Sequence, residues 1–125
     1  MSFAPTGLAL TGATGRVGHF VLAAARTQEP RRGQAPRVLG RRAVAGLPHT
    51  PWALGAVPPL EGVETLVHCA FAHVPGRYRG GEGDDEAGFL RANLEGSVAL
   101  FEAARAAGVA RVIFVSSRAV FDGYP

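Results

Sequence analysis

Apolar and polar positions fall into blocks along the chain, and each block has a recognisable period. Gly7-Leu8-Ala9-Leu10 is a continuous apolar run, the pattern of a strand buried on both faces. From near Arg16 the spacing turns helical, with Val17, Phe20, Val21, Ala24 and Ala25 on one face, and the run ends near Gln28 to Pro30. A basic turn with Gly and Pro then leads to Arg37-Val38-Leu39-Gly40, a second short strand. Prolines at 48, 51, 58 and 59 exclude a long helix between 43 and 60. A third strand around Trp52 to Leu54 and a single helical turn near Pro59 to Gly62 are expected there, with Trp52 read as a core residue rather than a ligand platform.

Thr65-Leu66-Val67-His68-Cys69-Ala70 is again nearly all apolar and reads as a fourth buried strand. Residues 73 to 85 form a loop rich in glycine, with Pro75 and the group Arg77-Tyr78-Arg79. These side chains could meet a substrate phosphate or simply be solvated. A long amphipathic helix follows, one face marked by Leu90, Leu94, Val98, Phe101 and Ala104. Asp84, Asp85 and Glu86 suit its N-terminal dipole, and Gly108 is a natural stop. Arg111 to Ser116 completes the pattern as a fifth strand.

Strands alternating with helical segments imply parallel pairing through right-handed crossovers. The expected architecture is α/β, a Rossmann-like doubly wound parallel sheet of five strands in order 3-2-1-4-5. In such a sheet the ligand crevice lies at the carboxyl ends beside strand 1, where the order reverses. There the sequence reads Thr11-Gly12-Ala13-Thr14-Gly15-Arg16-Val17-Gly18. Gly12 permits a tight exit from the strand, Gly15 keeps a side chain away from a ligand, and Gly18 lets the helix pack closely. The helix N-terminus that follows favours a pyrophosphate. The spacing is G-x-x-G-x-x-G rather than G-x-G-x-x-G, so taken alone the motif is weak; the flanking strand and helix favour a nucleotide, with an ordinary glycine-rich turn as the alternative.

Bulk properties narrow the class. A chain of 125 residues with 47% hydrophobic content holds one domain with one core. No apolar run approaches the ~20 residues of a membrane span, and the N-terminus lacks the regions of a signal peptide. Cys69 is the single cysteine, so no internal disulfide forms, and a cytoplasmic setting is expected. No metal site is expected. The net charge of +3 comes from 13 arginines without any lysine. Most of the excess lies in the first half, but these arginines are scattered and carry no interleaved aromatics, which argues against nucleic acid.

Four motifs in order carry a family resemblance: TGATGRVG at 11–18, VHCA at 67–70, NLEGSVALFEAARAAGV at 93–109, and VSSRAVF at 115–121. Together they resemble the extended short-chain dehydrogenase/reductase family of the NAD-dependent epimerase/dehydratase type. The resemblance implies a dinucleotide held on the turn, with Thr11, Gly12, Thr14, Gly15, Arg16, Val17 and Gly18 around it and Cys69, Ala70 and Phe71 near the adenine ribose. Phe71 stands where the family usually has a second alanine. His68 is read as a core histidine rather than a catalytic one. Asn93 aligns with an asparagine that orders the active-site helix, and Ser117 with the catalytic serine. A partly exposed helix asparagine and a serine capping a turn are the plainer alternatives.

Charge bears on the cofactor. An acid at the end of strand 2 would bind the ribose 2′-OH of NAD, whereas an arginine accommodates the 2′-phosphate of NADP. No acid lies between Glu29 and Glu61, and Arg41 and Arg42 occupy that end. NADP is therefore expected over NAD, with a solvated arginine pair as the alternative. The acid that the family commonly places after strand 3 is missing. The Tyr-x-x-x-Lys pair of the family mechanism is also missing, because the chain has no lysine and Tyr124 follows Ser117 by too short an interval.

The expected identity is thus residues 1–125 as the N-terminal NAD(P)-binding portion of an oxidoreductase, epimerase or dehydratase acting on a carbonyl or sugar-nucleotide substrate, truncated before the substrate-binding region. The alternatives are a non-catalytic NADP sensor and a remnant without function. The expected partners are the dinucleotide and a small-molecule substrate, with a homodimer left open.

Overall fold

The computed structural model describes residues 7–27, 35–71 and 85–116. Strand β1 (Gly7–Thr11) is buried along its whole length. Helix α1 (Gly18–Thr27), β2 (Arg37–Gly40), β3 (His49–Pro51) and β4 (Val63–His68) follow. A continuous helix then comprises α2 (Glu86–Leu90), a π-helical turn (Arg91–Glu95) and α3 (Gly96–Ala107), with helical dihedrals at both junctions. Strand β5 (Arg111–Phe114) comes last.

All five strands pair in parallel in the order β3-β2-β1-β4-β5, as the alternating pattern predicts. Thr11 stands opposite Leu39 on one side and His68 on the other, so the exits of β1, β2 and β4 share one edge. One core layer joins Ala9, Leu39, Trp52, Leu60, Leu66, Leu100 and Ala104, which seats α3 on the sheet. The other joins Leu8, Leu10, Leu22, Ala25, Val38 and Val67, which seats α1 on the opposite face. All four β5 residues are exposed among the described residues.

Four expectations are corrected. The third strand is His49–Pro51, just before Trp52. Trp52 instead starts a turn in which Ala56 N–H donates to the Ala53 carbonyl, bringing Ala56 O within 2.8 Å of Trp52 Nε1. An edge strand tolerates Pro51, which a central strand would not. Near Pro59 to Gly62 there is a turn rather than a helix, closed by Val63 N–H on Leu60 O. Helix α1 begins at Gly18 and buries Gly18, Leu22 and Ala25, leaving Val17, Ala24 and Phe20 exposed, the last at 70%.

The long helix shows the same displacement. Gly96, Ser97, Leu100 and Ala104 are buried, while Leu90, Leu94 and Val98 are about half exposed or more. The buried line runs through Ser97, Leu100 and Ala104, with Phe89 and Asn93 only partly buried ahead of it, so the expected face holds at Ala104 and fails at Leu90, Leu94 and Val98. Adjacent residues on a helix differ by about 100° in direction. Four-residue steps drift by about 40° each in an α-helix, and the wider π turn offsets that drift. The termini follow the sequence: the Asp85 carboxylate accepts from Gly88 N–H at 2.9 Å, and Gly108 closes α3 in the left-handed region at φ 78°.

Candidate functional site

Gly12 leaves β1 with φ 70°, a conformation that glycine adopts without strain. It also needs to be small. A Cβ there would sit 2.7 Å from the Cys69 carbonyl carbon and 2.8 Å from Ala70 N. The turn and the exit of β4 are therefore in backbone contact. Gly15 N–H closes the turn onto Gly12 O at 3.0 Å, and His19 N–H reaches Gly15 O at 3.1 Å to start the helix. A Cβ on Gly18 would overlap the Gly12 carbonyl, so the first helical residue packs on the turn itself. Gly15 differs from both: among the described residues a Cβ there would meet only Gly12 O, at 3.3 Å. A cradle of this shape fits a pyrophosphate, with the N-terminus of α1 behind it.

The other expected residues gather along the same edge. Thr14, Gly15, Arg16 and Val17 are exposed on the turn, and Gly18 is buried beneath it. Arg41 and Arg42 are exposed directly after β2. Beyond β4, Cys69 and Ala70 are half-buried and Phe71 is exposed. Burial pushes the Cys69 thiol pKa up, which makes it a poor nucleophile. Asn93 lies inside the π turn and donates from Nδ2 to Phe89 O at 3.1 Å. Phe89 meets Phe71 edge to face at 5.5 Å between ring centres, connecting α2 to the β4 exit. Ser117, like Arg77, Tyr78, Arg79 and Tyr124, lies outside the described residues.

Thr11, the last residue of β1, is fully buried at 0% exposure. Its Oγ1 accepts from Cys69 N–H at 3.0 Å and from Ala70 N–H at 3.1 Å, and lies 2.6 Å from His68 Nδ1. His68 Nε2 lies 2.9 Å from Ser97 Oγ on α3. His68 is thus a core histidine with both nitrogens satisfied. Burial lowers its pKa to about 4, and the ring is neutral at pH 7. Ser97 has no place among the residues expected from sequence. The signals for it were a histidine in an apolar strand, which needs two polar partners, and a serine beside a helix glycine.

A hollow of about 250 Å³ lies at the opposite end of the strands, bordered by Gly7, Leu8, Arg37, Pro48 and Val63. It is remote from the crevice, and the Arg37 guanidinium there donates to Glu61 O at 3.2 Å. Among the described residues no cluster of three or more His, Cys, Asp or Glu could hold a metal, and no helix is long and apolar enough to cross a membrane.

Fold and turn together define a doubly wound domain of the dinucleotide-binding type. The chain belongs to the NAD dependent epimerase/dehydratase family, which it matches over residues 8–125. No curated protein matches it. Among solved structures it is similar to a short-chain dehydrogenase/reductase superfamily protein from Agrobacterium tumefaciens with bound NAD. The two are 31% identical with a TM-score of 0.70, over 92% of this chain and 34% of the other. It also shares its fold with a UDP-glucose-4-epimerase from Stenotrophomonas maltophila with bound NAD and formylated UDP-arabinopyranose (18% identity, TM-score 0.70, 96% and 40% covered). A third is DesIV, the dTDP-glucose 4,6-dehydratase from Streptomyces venezuelae with NAD and TYD bound (24% identity, TM-score 0.66, 86% and 38% covered). The chain spans between a third and two fifths of the length of these relatives.

Proposed function

We propose that this chain is the dinucleotide-binding portion of an epimerase or dehydratase acting on a sugar nucleotide, and that it takes NADP in preference to NAD. The observation that carries the reading is the contact of the glycine turn with the β4 exit, on the same sheet edge at which Arg41 and Arg42 are exposed directly after β2. In this reading Gly12, Gly15, Gly18 and the start of α1 hold the pyrophosphate. Thr14, Arg16 and Val17 flank it, and Cys69, Ala70 and Phe71 border the adenine ribose. Arg41 and Arg42 receive the 2′-phosphate. When bound, the nicotinamide supplies a hydride acceptor or donor. Asn93 orders the helix beside it, and Ser117 hydrogen bonds to the substrate hydroxyl or carbonyl.

Proton transfer requires a general acid/base, and the family's Tyr-x-x-x-Lys pair is not among these 125 residues. In this reading these residues therefore bind the cofactor, with Ser117 and Asn93 as part of a catalytic constellation. The exposed line Leu90, Leu94 and Val98 is the surface through which two copies would pair in a homodimer.

Titration of the chain with NADPH and NADH tests the central claim. NADPH should bind at least about tenfold more tightly, and Arg41→Asp should abolish the difference. Equal affinities in the unmodified chain would remove the NADP assignment. Absence of binding to either dinucleotide would remove the functional reading itself. The Agrobacterium tumefaciens relative holds NAD, which makes the NADH arm the informative comparison.

A further inference from the structure

We propose that Thr11, His68 and Ser97 form a directional hydrogen-bond chain that positions the nucleotide crevice, with His68 as the positioning residue. The direction follows from counting protons. A threonine hydroxyl has one proton and two lone pairs, and a backbone N–H can only donate. Cys69 N–H and Ala70 N–H take the two lone pairs of Thr11 Oγ1. Its one proton is left for His68 Nδ1. Nδ1 is then an acceptor, and a neutral ring must carry its hydrogen on Nε2, where it is donated to Ser97 Oγ. The other tautomer would aim a fourth hydrogen at Thr11 Oγ1.

The ring has no route to water that would relax this requirement. His68 is 0% exposed, stacked on Phe114 at 5.6 Å and met edge on by Phe101 at 5.6 Å and by Trp52 at 6.2 Å. The chain of bonds joins three elements whose relative position shapes the crevice. Thr11 directly precedes the glycine turn, and Cys69 and Ala70 form the opposite rim. Ser97 follows Gly96, whose missing Cβ lets the helix approach Leu54 and Gly55. The location of one proton on His68 thereby sets how the Ala70 rim faces Gly12 and Gly15. This inference rests on the reading of that crevice as the dinucleotide site.

Two measurements on the 125-residue chain test it. Nitrogen-15 correlation spectra of the histidine rings should show His68 with a bare Nδ1 and a protonated Nε2 at neutral pH. Thr11→Val keeps the side-chain shape but removes the hydroxyl. It should strip exchange protection from the Cys69 and Ala70 amides while sparing Leu66 and Val67, and weaken NADPH binding about tenfold. Thr11→Ser should restore both to within about twofold. Should Thr11→Val fail to fold, Ser97→Ala serves instead, with the same two amides losing protection. A proton on Nδ1, wild-type protection at Cys69 and Ala70 in the folded variant, or no rescue by serine would overturn the proposal. If the unmodified chain binds neither dinucleotide, the functional reading fails separately, because the ring tautomer and amide exchange still decide the hydrogen-bond chain.

Discussion

Gly15 and Gly18 are three residues apart, yet the structure gives them opposite tasks. A Cβ on Gly18 would collide with the Gly12 carbonyl, so Gly18→Ala must push α1 off the turn and should cost about 1–3 kcal/mol, measurable by urea denaturation. Gly15 has only Gly12 O nearby among the described residues, at 3.3 Å. Gly15→Ala should leave stability within about 0.5 kcal/mol of the unmodified chain. It should nevertheless reduce NADPH affinity at least about tenfold, because its methyl group enters the cradle. Normal binding by Gly15→Ala would mean that the phosphates lie elsewhere. Roles of this kind are legible in sequence because they depend on neighbours within one turn. Those of Thr11, His68 and Ser97 are not, since their partners lie 57 and 29 residues away. The residue types were visible, and only the fold could pair them.

Elements were legible to the extent that hydrophobicity alone positions them. The runs at β1, β2 and β4 are largely buried on both faces, so continuous hydrophobicity marks them as strands and the strand order follows from the crossovers, although β4 spans Val63–His68, two residues earlier than the apolar run Thr65 to Ala70 suggests. The long helix was harder because two lines of residues run four apart along it. Hydrophobicity selects Leu90, Leu94, Val98, Phe101 and Ala104, but only Ala104 of these is buried, and the core receives it with Leu100 and with Ser97, whose hydroxyl finds His68 Nε2. The π turn at Arg91–Glu95 changes the phase between the two halves of the helix, and no simple 3.6-residue periodicity reveals it. β3 was misplaced for a related reason, since Trp52 is the apolar residue there but is buried from a turn rather than a strand. The two helix lines make a direct test. Leu100→Ala, at 0% exposure, should cost about 2–5 kcal/mol, whereas Leu94→Gln, at 61%, should cost less than about 0.5 kcal/mol. Both should be measured at a concentration where sedimentation shows single chains, because pairing through the Leu94 line would add its own cost. Equal losses in that regime would place Leu94 in the core.

At the scale of the whole molecule, the buried imidazole couples folding to pH. Its folded pKa is about 4, below the ordinary histidine value of 6.5, so between those values the unfolded chain holds the extra proton. Stability from this group is therefore complete above pH 6.5 and is lost as pH falls toward 4, by up to about 3 kcal/mol. Carboxylates titrate over part of the same range, so the informative quantity is a difference between proteins. Urea midpoints for the unmodified chain should fall more steeply between pH 6.5 and 4 than those of His68→Gln, which has no group to protonate there. Parallel slopes would show that His68 is not a buried neutral ring. Cofactor acts on the same equilibrium with the opposite sign. Dinucleotide at about 100 times its Kd stabilises the folded chain by about 2.7 kcal/mol, close to what protonating His68 removes. Saturating NADPH should therefore shift acid unfolding to lower pH by roughly two units within the histidine window, at about 1.4 kcal/mol per unit. It should do so while keeping the slope difference between the two proteins, since the folded ring stays neutral down to about pH 4 and the extra proton between those values belongs to the unfolded chain.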